Sequence, residues 1–238
     1  MPSAQTPVPV NQPMPRAAEP NSAAPSFLER ETRFFDLPLS AASRMVTLLA
    51  VLLLIPALLF PLWSMTLYSN QFPDGLNLYI YANSLQGGHP TDRDDLKEIN
   101  TLNHYIGMHA LAESDFTEFK WIPLMLGLFF ILGLRTIVLG KMSNLVDTAV
   151  LFGWFGIFSL WSFYSKLWLY GHSLDPTAAV KVPPFMPPMF GSRQLANFTV
   201  YSYPGAASYF LFGFLVLLGL AAVLSRKKTP AGIEPTAR

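Results

Sequence analysis

Thr91 to His109, TDRDDLKEINTLNHYIGMH, lies between hydrophobic spans and holds two of the four histidines in this 238-residue sequence. Asn100 and His104 are four residues apart, so on a helix they share a face, and Met108 joins them if the helix runs one turn further. A carboxamide, an imidazole and a thioether then converge, with His109 beside them. Imidazole and thioether suit a soft or borderline ion such as copper, whereas calcium and magnesium take oxygen ligands. A second candidate set lies in VPPFMPPMFG, where four prolines favour polyproline II with about three residues per turn. Met186 and Met189 then project on one face, and a paired thioether beside His172, or near His104 and Met108, is what a Cu(I) carrier needs. Against this stands a plainer expectation. Asn100 and His104 hydrogen-bond neighbouring loops, and the methionines pack against helices or a partner protein.

The elements that position these residues are short. Thr91 can cap a helix, Asp92, Asp94 and Asp95 suit its positive first turn, Leu96, Ile99, Asn103 and Ile106 recur at helical spacing, and Gly107 ends it. Gly75 to Tyr81 and Leu195 to Tyr203 alternate apolar and polar residues as half-covered strands do. These two are expected to pair as a two-stranded sheet, tying two loops into one cap.

Composition sets the class. Hydrophobic residues make up 51%, aromatics 14% and charged residues only 13%, which points to an integral membrane protein. The net charge of +1 offers no basic field for nucleic acid. Zero cysteines exclude disulfides, thiolate metal sites and CxxCH haem attachment. No GxSxG, HExxH or P-loop pattern occurs, so no enzyme class is indicated. A haem-bearing bundle is disfavoured as well, because no histidine lies deeper than His172.

The expected architecture is an all-α membrane protein with four transmembrane helices and a small external cap. Residues 1–26, rich in proline, read as a disordered cytoplasmic tail, and 27–44 as an interfacial amphipathic segment. The transmembrane domain covers 45–225, with external loops 69–120 and 171–205, and 226–238 form a second cytoplasmic tail. Within it the spans run from Met45 to Tyr68, bent by Pro56 and Pro61, from Trp121 to Leu139, from Asn144 to Tyr170, and from Ala206 to Leu224. Trp154, Phe158, Trp161 and Trp168 form a stripe suited to a packing seam. Lys166 is expected to snorkel to the interface, and Arg135 to pair with Asp147. Orientation follows from Arg16, Arg30, Arg33, Arg44, Arg135, Lys141, Arg226, Lys227, Lys228 and Arg238 on one side, against Arg93, Lys97, Lys120, Lys166, Lys181 and Arg193 on the other. The first side is cytoplasmic by the positive-inside rule, which leaves both termini inside and every histidine outside.

The phrases NLYIYANSL, EINTLNHYIGM, LDPTAAVKVPPFMPPMFG and ANFTVYSYPG, separated by four spans, resemble small membrane proteins encoded beside bacterial copper-dependent respiratory enzymes, notably in nitrous oxide reductase clusters. The resemblance covers roughly residues 45–225. It implies an accessory role in copper enzyme maturation or electron supply, in the bacterial cytoplasmic membrane, beside a membrane or extracytoplasmic protein partner. Three functions follow as expectations. A metal-binding accessory factor would use His104, Met108, His109, Met186, Met189 and His172 and would cluster them in space. A structural or assembly subunit of a respiratory complex needs no metal and would scatter its histidines. A transporter would place paired ionisable residues or broken helices near the midplane, and only the prolines of the first span hint at that.

Overall fold

The structure, a computed structural model, describes residues 32–89, 91–195 and 197–227. The expected 1–26 tail, the start of the amphipathic segment and the end of the second tail lie outside the described residues. Four helices are long and apolar enough to cross a membrane: α1 (Ala41–Leu59), α3 (Glu118–Leu139), α4 (Met142–His172) and α5 (Ala206–Lys227). A shorter helix, α2 (Asp95–Tyr105), and a five-stranded antiparallel sheet stand at one end of them. The fold is mostly helical, and its cap is larger than the two-stranded one expected.

The difference begins at Pro61. Proline disfavours helical backbone in the residue before it, and Phe60 is extended at φ −103 and ψ 159, so α1 stops at Leu59. The stretch expected to finish the first span is instead strand β1 (Trp63–Tyr68), whose Trp63, Met65 and Leu67 alternate with Ser64, Thr66 and Tyr68. Strands β2 (Leu76–Ile80), β3 (Leu85–Gly87), β4 (Gly191–Leu195) and β5 (Phe198–Pro204) complete a sheet of order β3-β2-β1-β5-β4. The two loops are joined as expected, but not directly. β1 lies between β2 and β5, with Thr66 opposite Asn77 on one side and Tyr201 on the other.

Two cores result. In the bundle, α1 buries Ser43, Thr47, Ala50, Val51, Leu54 and Ala57 against α5 and α3. Small residues let these backbones approach, and the Ser43 hydroxyl donates to Ala221 O at 2.8 Å. In the cap, Met65, Leu76, Leu78 and Val200 of the sheet pack with Ile99 of α2 and Leu167 of α4. Helix α4 reaches both. Its 31 residues span about 46 Å at about 1.5 Å each, well beyond a hydrocarbon core of about 30 Å.

Two expectations about the spans fail, while Lys166 has defined partners: its Nζ donates to Asp115 O at 2.6 Å and lies 4.0 Å from Glu118, and Ser162 donates to the same carboxylate at 2.6 Å. Arg135 and Asp147 form no ion pair among the described residues, and both are exposed. The tryptophan stripe faces outward, with Trp154 67% and Trp161 63% exposed, so it lines no seam within this chain.

Candidate functional site

Helix α2 is built around a buried carboxylate. Asp94, not Thr91, caps it by accepting from the Lys97 amide at 3.2 Å. Asp95 points inward and is fully buried, where it accepts from Arg93 Nε at 2.7 Å, the Asn77 amide at 2.9 Å and His89 Nδ1 at 3.1 Å. Burial alone would push this carboxyl up. The hydrogen bonds from Arg93, Asn77 and His89, with the Arg93 charge, outweigh it and hold the group below the ordinary aspartate value. Arg93 also donates to Gly75 O at 2.7 Å, so this cluster ties β2 and its preceding turn to α2. Its close approach requires glycine: a Cβ on Gly87 would strike the Leu96 backbone, and one on Gly88 would meet Asp95 Oδ2.

This cluster was missed in the sequence. Its acidic run reads as helix capping, and His89 reads as part of a flexible turn. Two glycines and a histidine just ahead of the acidic run were the available signal.

The far end of α2 closes in a Schellman motif, with Met108 N donating to Asn103 O at 2.8 Å and Gly107 N to His104 O at 3.2 Å. Gly107 sits at φ +75 and leaves room for the second loop, whose Asp175 amide donates to Gly107 O at 2.8 Å. Val180 N donates to Tyr105 O at 2.9 Å beside it. Asn100 clamps Leu111, accepting from its amide at 2.7 Å and donating to its carbonyl at 3.1 Å. The polar face of NTLNHYIGM therefore welds loops, as the plainer expectation had it for Asn100.

The sequence-derived metal candidates divide. His104, Met108 and His109 line one open cleft of about 720 Å³, together with Asp175 and Thr177 of the second loop. Asp175 accepts from the Thr177 hydroxyl at 2.6 Å and its amide at 2.8 Å, and these bonds, with His104 nearby, hold its carboxyl below the usual range. His109 has Nδ1 3.7 Å from Asp115 and meets the Tyr170 ring edge-on at 6.4 Å. His172 stacks on Trp168 at 4.4 Å and donates from Nδ1 to its carbonyl at 2.9 Å. Met186 and Met189 are absent from the cleft lining and pack against the cap core. Their carbonyls accept from Arg193 and Ser202. Among the described residues, no group of three or more His, Asp or Glu is arranged to hold a metal ion.

The remaining surface of note is the outer face of the sheet. Register and alternation place Tyr79, Ser64 and Tyr203 in one row, Asn77, Thr66, Tyr201 and Ser192 in the next, and Tyr68, Thr199 and Gln194 in a third. None is charged. Tyr68, Tyr201 and Tyr203 are exposed, and Tyr68 meets Tyr201 edge-on at 5.6 Å. Phe190, 69% exposed, meets Tyr203 in the same way at 5.4 Å.

Compared with protein-family models, with characterised proteins and with solved structures, the chain has no match. The class that the fold itself supports is that of a multi-pass membrane protein carrying a small antiparallel sheet at one end.

Proposed function

We propose that this chain is an accessory subunit of a bacterial respiratory system, held in the cytoplasmic membrane by its four helices, which docks an extracytoplasmic protein on the outer face of its sheet. One observation carries the reading: that face is broad, uncharged and rich in exposed tyrosine, next to an exposed phenylalanine. Tyrosine presents large, rigid contact area with a polar tip, and charge is depleted at the centre of protein interfaces. The role of Asn100, Arg93 and Asp95 in bracing the cap fits a platform that must keep its shape. The distribution of lysine and arginine, read by the positive-inside rule, supports a cap outside and both termini in the cytoplasm.

The test uses a bacterium that encodes the protein, and it replaces Tyr201 and Tyr203 together with aspartate. The exposed positions tolerate charge in a monomer, so the level of the protein in the membrane is expected to hold. Copper loading and activity of the copper-dependent respiratory enzyme are expected to fall at least tenfold. If both stay at wild-type level with the doubly charged face present in the membrane, the docking reading is wrong.

A second reading is favoured by the shared cleft. His104, Met108 and His109 line it together, and a Cu(I) ion held there by imidazole and thioether would make the chain a carrier rather than a platform. It needs only these three residues, not Met186, Met189 or His172.

A further inference from the structure

At the end of the bundle opposite the cap, α3 and α4 part into a cleft of about 560 Å³. Only two of its lining residues are charged, Arg135 and Asp147, and among the described residues neither is ion-paired. Arg135 lies four residues before Leu139, the end of α3, and Asp147 five after Met142, the start of α4. That is roughly 6 to 7.5 Å along the axis, near enough to the helix ends for both side chains to meet lipid headgroups when the helices cross a bilayer. The two threonine hydroxyls of the floor are already engaged: Thr136 donates to Leu132 O at 2.9 Å and Thr148 to Asn144 O at 2.7 Å. One helical turn deeper stand Leu132, Val150 and Leu151, an aliphatic wall toward the bilayer centre.

Two charges of opposite sign that share one cleft without pairing, among the described residues, are matched by a ligand that carries both. We propose that this cleft binds the headgroup of a zwitterionic, amine-bearing phospholipid of the phosphatidylethanolamine type. Arg135 takes the phosphate, Asp147 takes the ammonium, and the acyl chains lie along Leu132, Val150 and Leu151. Charge complementarity selects this occupant. This end of the bundle also carries Arg33, Arg44, Lys141 and Arg226, with Asp36 beside them, and these cations serve any anion, so an anionic lipid or free phosphate gains nothing from Asp147 and is repelled by it. A quaternary ammonium, as in phosphatidylcholine, cannot donate a hydrogen bond to the carboxylate, so the primary amine is favoured.

Native mass spectrometry of the full chain, delipidated in detergent and titrated with phosphatidylethanolamine, phosphatidylcholine or phosphatidylglycerol, reads this directly. Wild type is expected to retain phosphatidylethanolamine several-fold better than the other two. Arg135→Gln should weaken retention of all three by about tenfold, the usual scale of a charge-assisted bond to phosphate. Asp147→Asn should erase the preference for phosphatidylethanolamine while leaving phosphatidylcholine unchanged, and Asp147→Glu should keep the preference. Free phosphoethanolamine should fail to displace the lipid, because it lacks the chains. Equal retention of the three lipids by wild type, a preference that survives Asp147→Asn, or full displacement by free phosphoethanolamine would each overturn the proposal. The first of these needs no variant at all.

Discussion

Replacing Asp95 by asparagine should loosen the cap without touching the bundle. The side chain is fully buried and accepts three hydrogen bonds, at 2.7, 2.9 and 3.1 Å, the shortest from the Arg93 guanidinium. Asparagine keeps the shape and one acceptor oxygen but removes the charge that Arg93 faces. Breaking a buried pair from one side costs about 3 to 5 kcal/mol, and hydrogen bonds to charged groups about 1.5 to 3. Arg93 retains 27% exposure, so water recovers part of the loss and about 2 to 4 kcal/mol is expected. Hydrogen exchange in membrane mimetic is the assay, since opening of one region need not involve the whole fold. Amides of β2 and α2 should exchange between about thirtyfold and a thousandfold faster in the variant, at about 1.4 kcal/mol per tenfold. Amides of α1 and α5 should not change. The pH dependence carries its own sign. Because the folded carboxyl is held below its ordinary value, its contribution is fully present above that value and is lost as pH falls through the lower folded one. Wild-type protection in β2 and α2 should therefore hold near neutrality and drop only below the usual aspartate range, and Asp95→Asn should lack that drop. Equal protection in the two proteins at neutral pH would show that Asp95 is not what braces the cap.

Cysteines replacing Thr66 and Tyr201 should form a disulfide, because adjacent strands lie about 4.7 to 4.9 Å apart, while cysteines replacing Tyr79 and Tyr201 should not, since β1 separates them and doubles that distance. Crosslinking of the second pair but not the first would restore a direct β2–β5 pairing. For the cleft, reduced protein in detergent should bind about one Cu(I), and His104→Ala should weaken it at least tenfold to a hundredfold while Met186→Leu leaves it unchanged. No binding by wild type, or equal binding by His104→Ala, would remove the carrier reading.

The spans were legible because apolar length is a one-dimensional property, and three of the four keep their place within a few residues. The first did not, because MVTLLAVLLLIPALLFPLWSMTLY carries no charge and mean hydropathy cannot tell a helix from a strand in its last third. Period could have: Trp63, Met65 and Leu67 alternate with Ser64, Thr66 and Tyr68, and Pro61 stands where a helix would have to continue. Strand partners were not legible, since β2 and β5 each match β1 only once β1 is recognised. In the site, Asn100 was open to either reading because a carboxamide offers the same atoms to a metal or a loop. Asp95 was hidden by its neighbours, as a carboxylate at a helix start is ordinarily solvent-facing. Only the Gly87–Gly88 pair, which admits α2 against β3, marks this one as buried.

The same strand explains how cap and bundle are joined. Helices α1 and α5 pack along their length, and β1 and β5, which continue them, are hydrogen-bonded neighbours. The join is narrow: Leu62 O accepts from the Gly205 amide at 2.8 Å and the Ser208 hydroxyl at 2.6 Å, and Ala207 N donates to Pro61 O at 3.0 Å. A Cβ on Gly205 would collide with Pro61 O, so the crossing from helix pair to strand pair depends on that glycine. Helix α4 braces the other side by reaching past the bundle core into the cap, setting Phe163 against Trp63, with ring centres 5.1 Å apart, and Leu167 into the cap core. A force on the outer face of the sheet is therefore passed to three of the four spanning helices through backbone bonds and half-buried rings. Under the docking role proposed above, that coupling would carry a load on the sheet into the helix bundle.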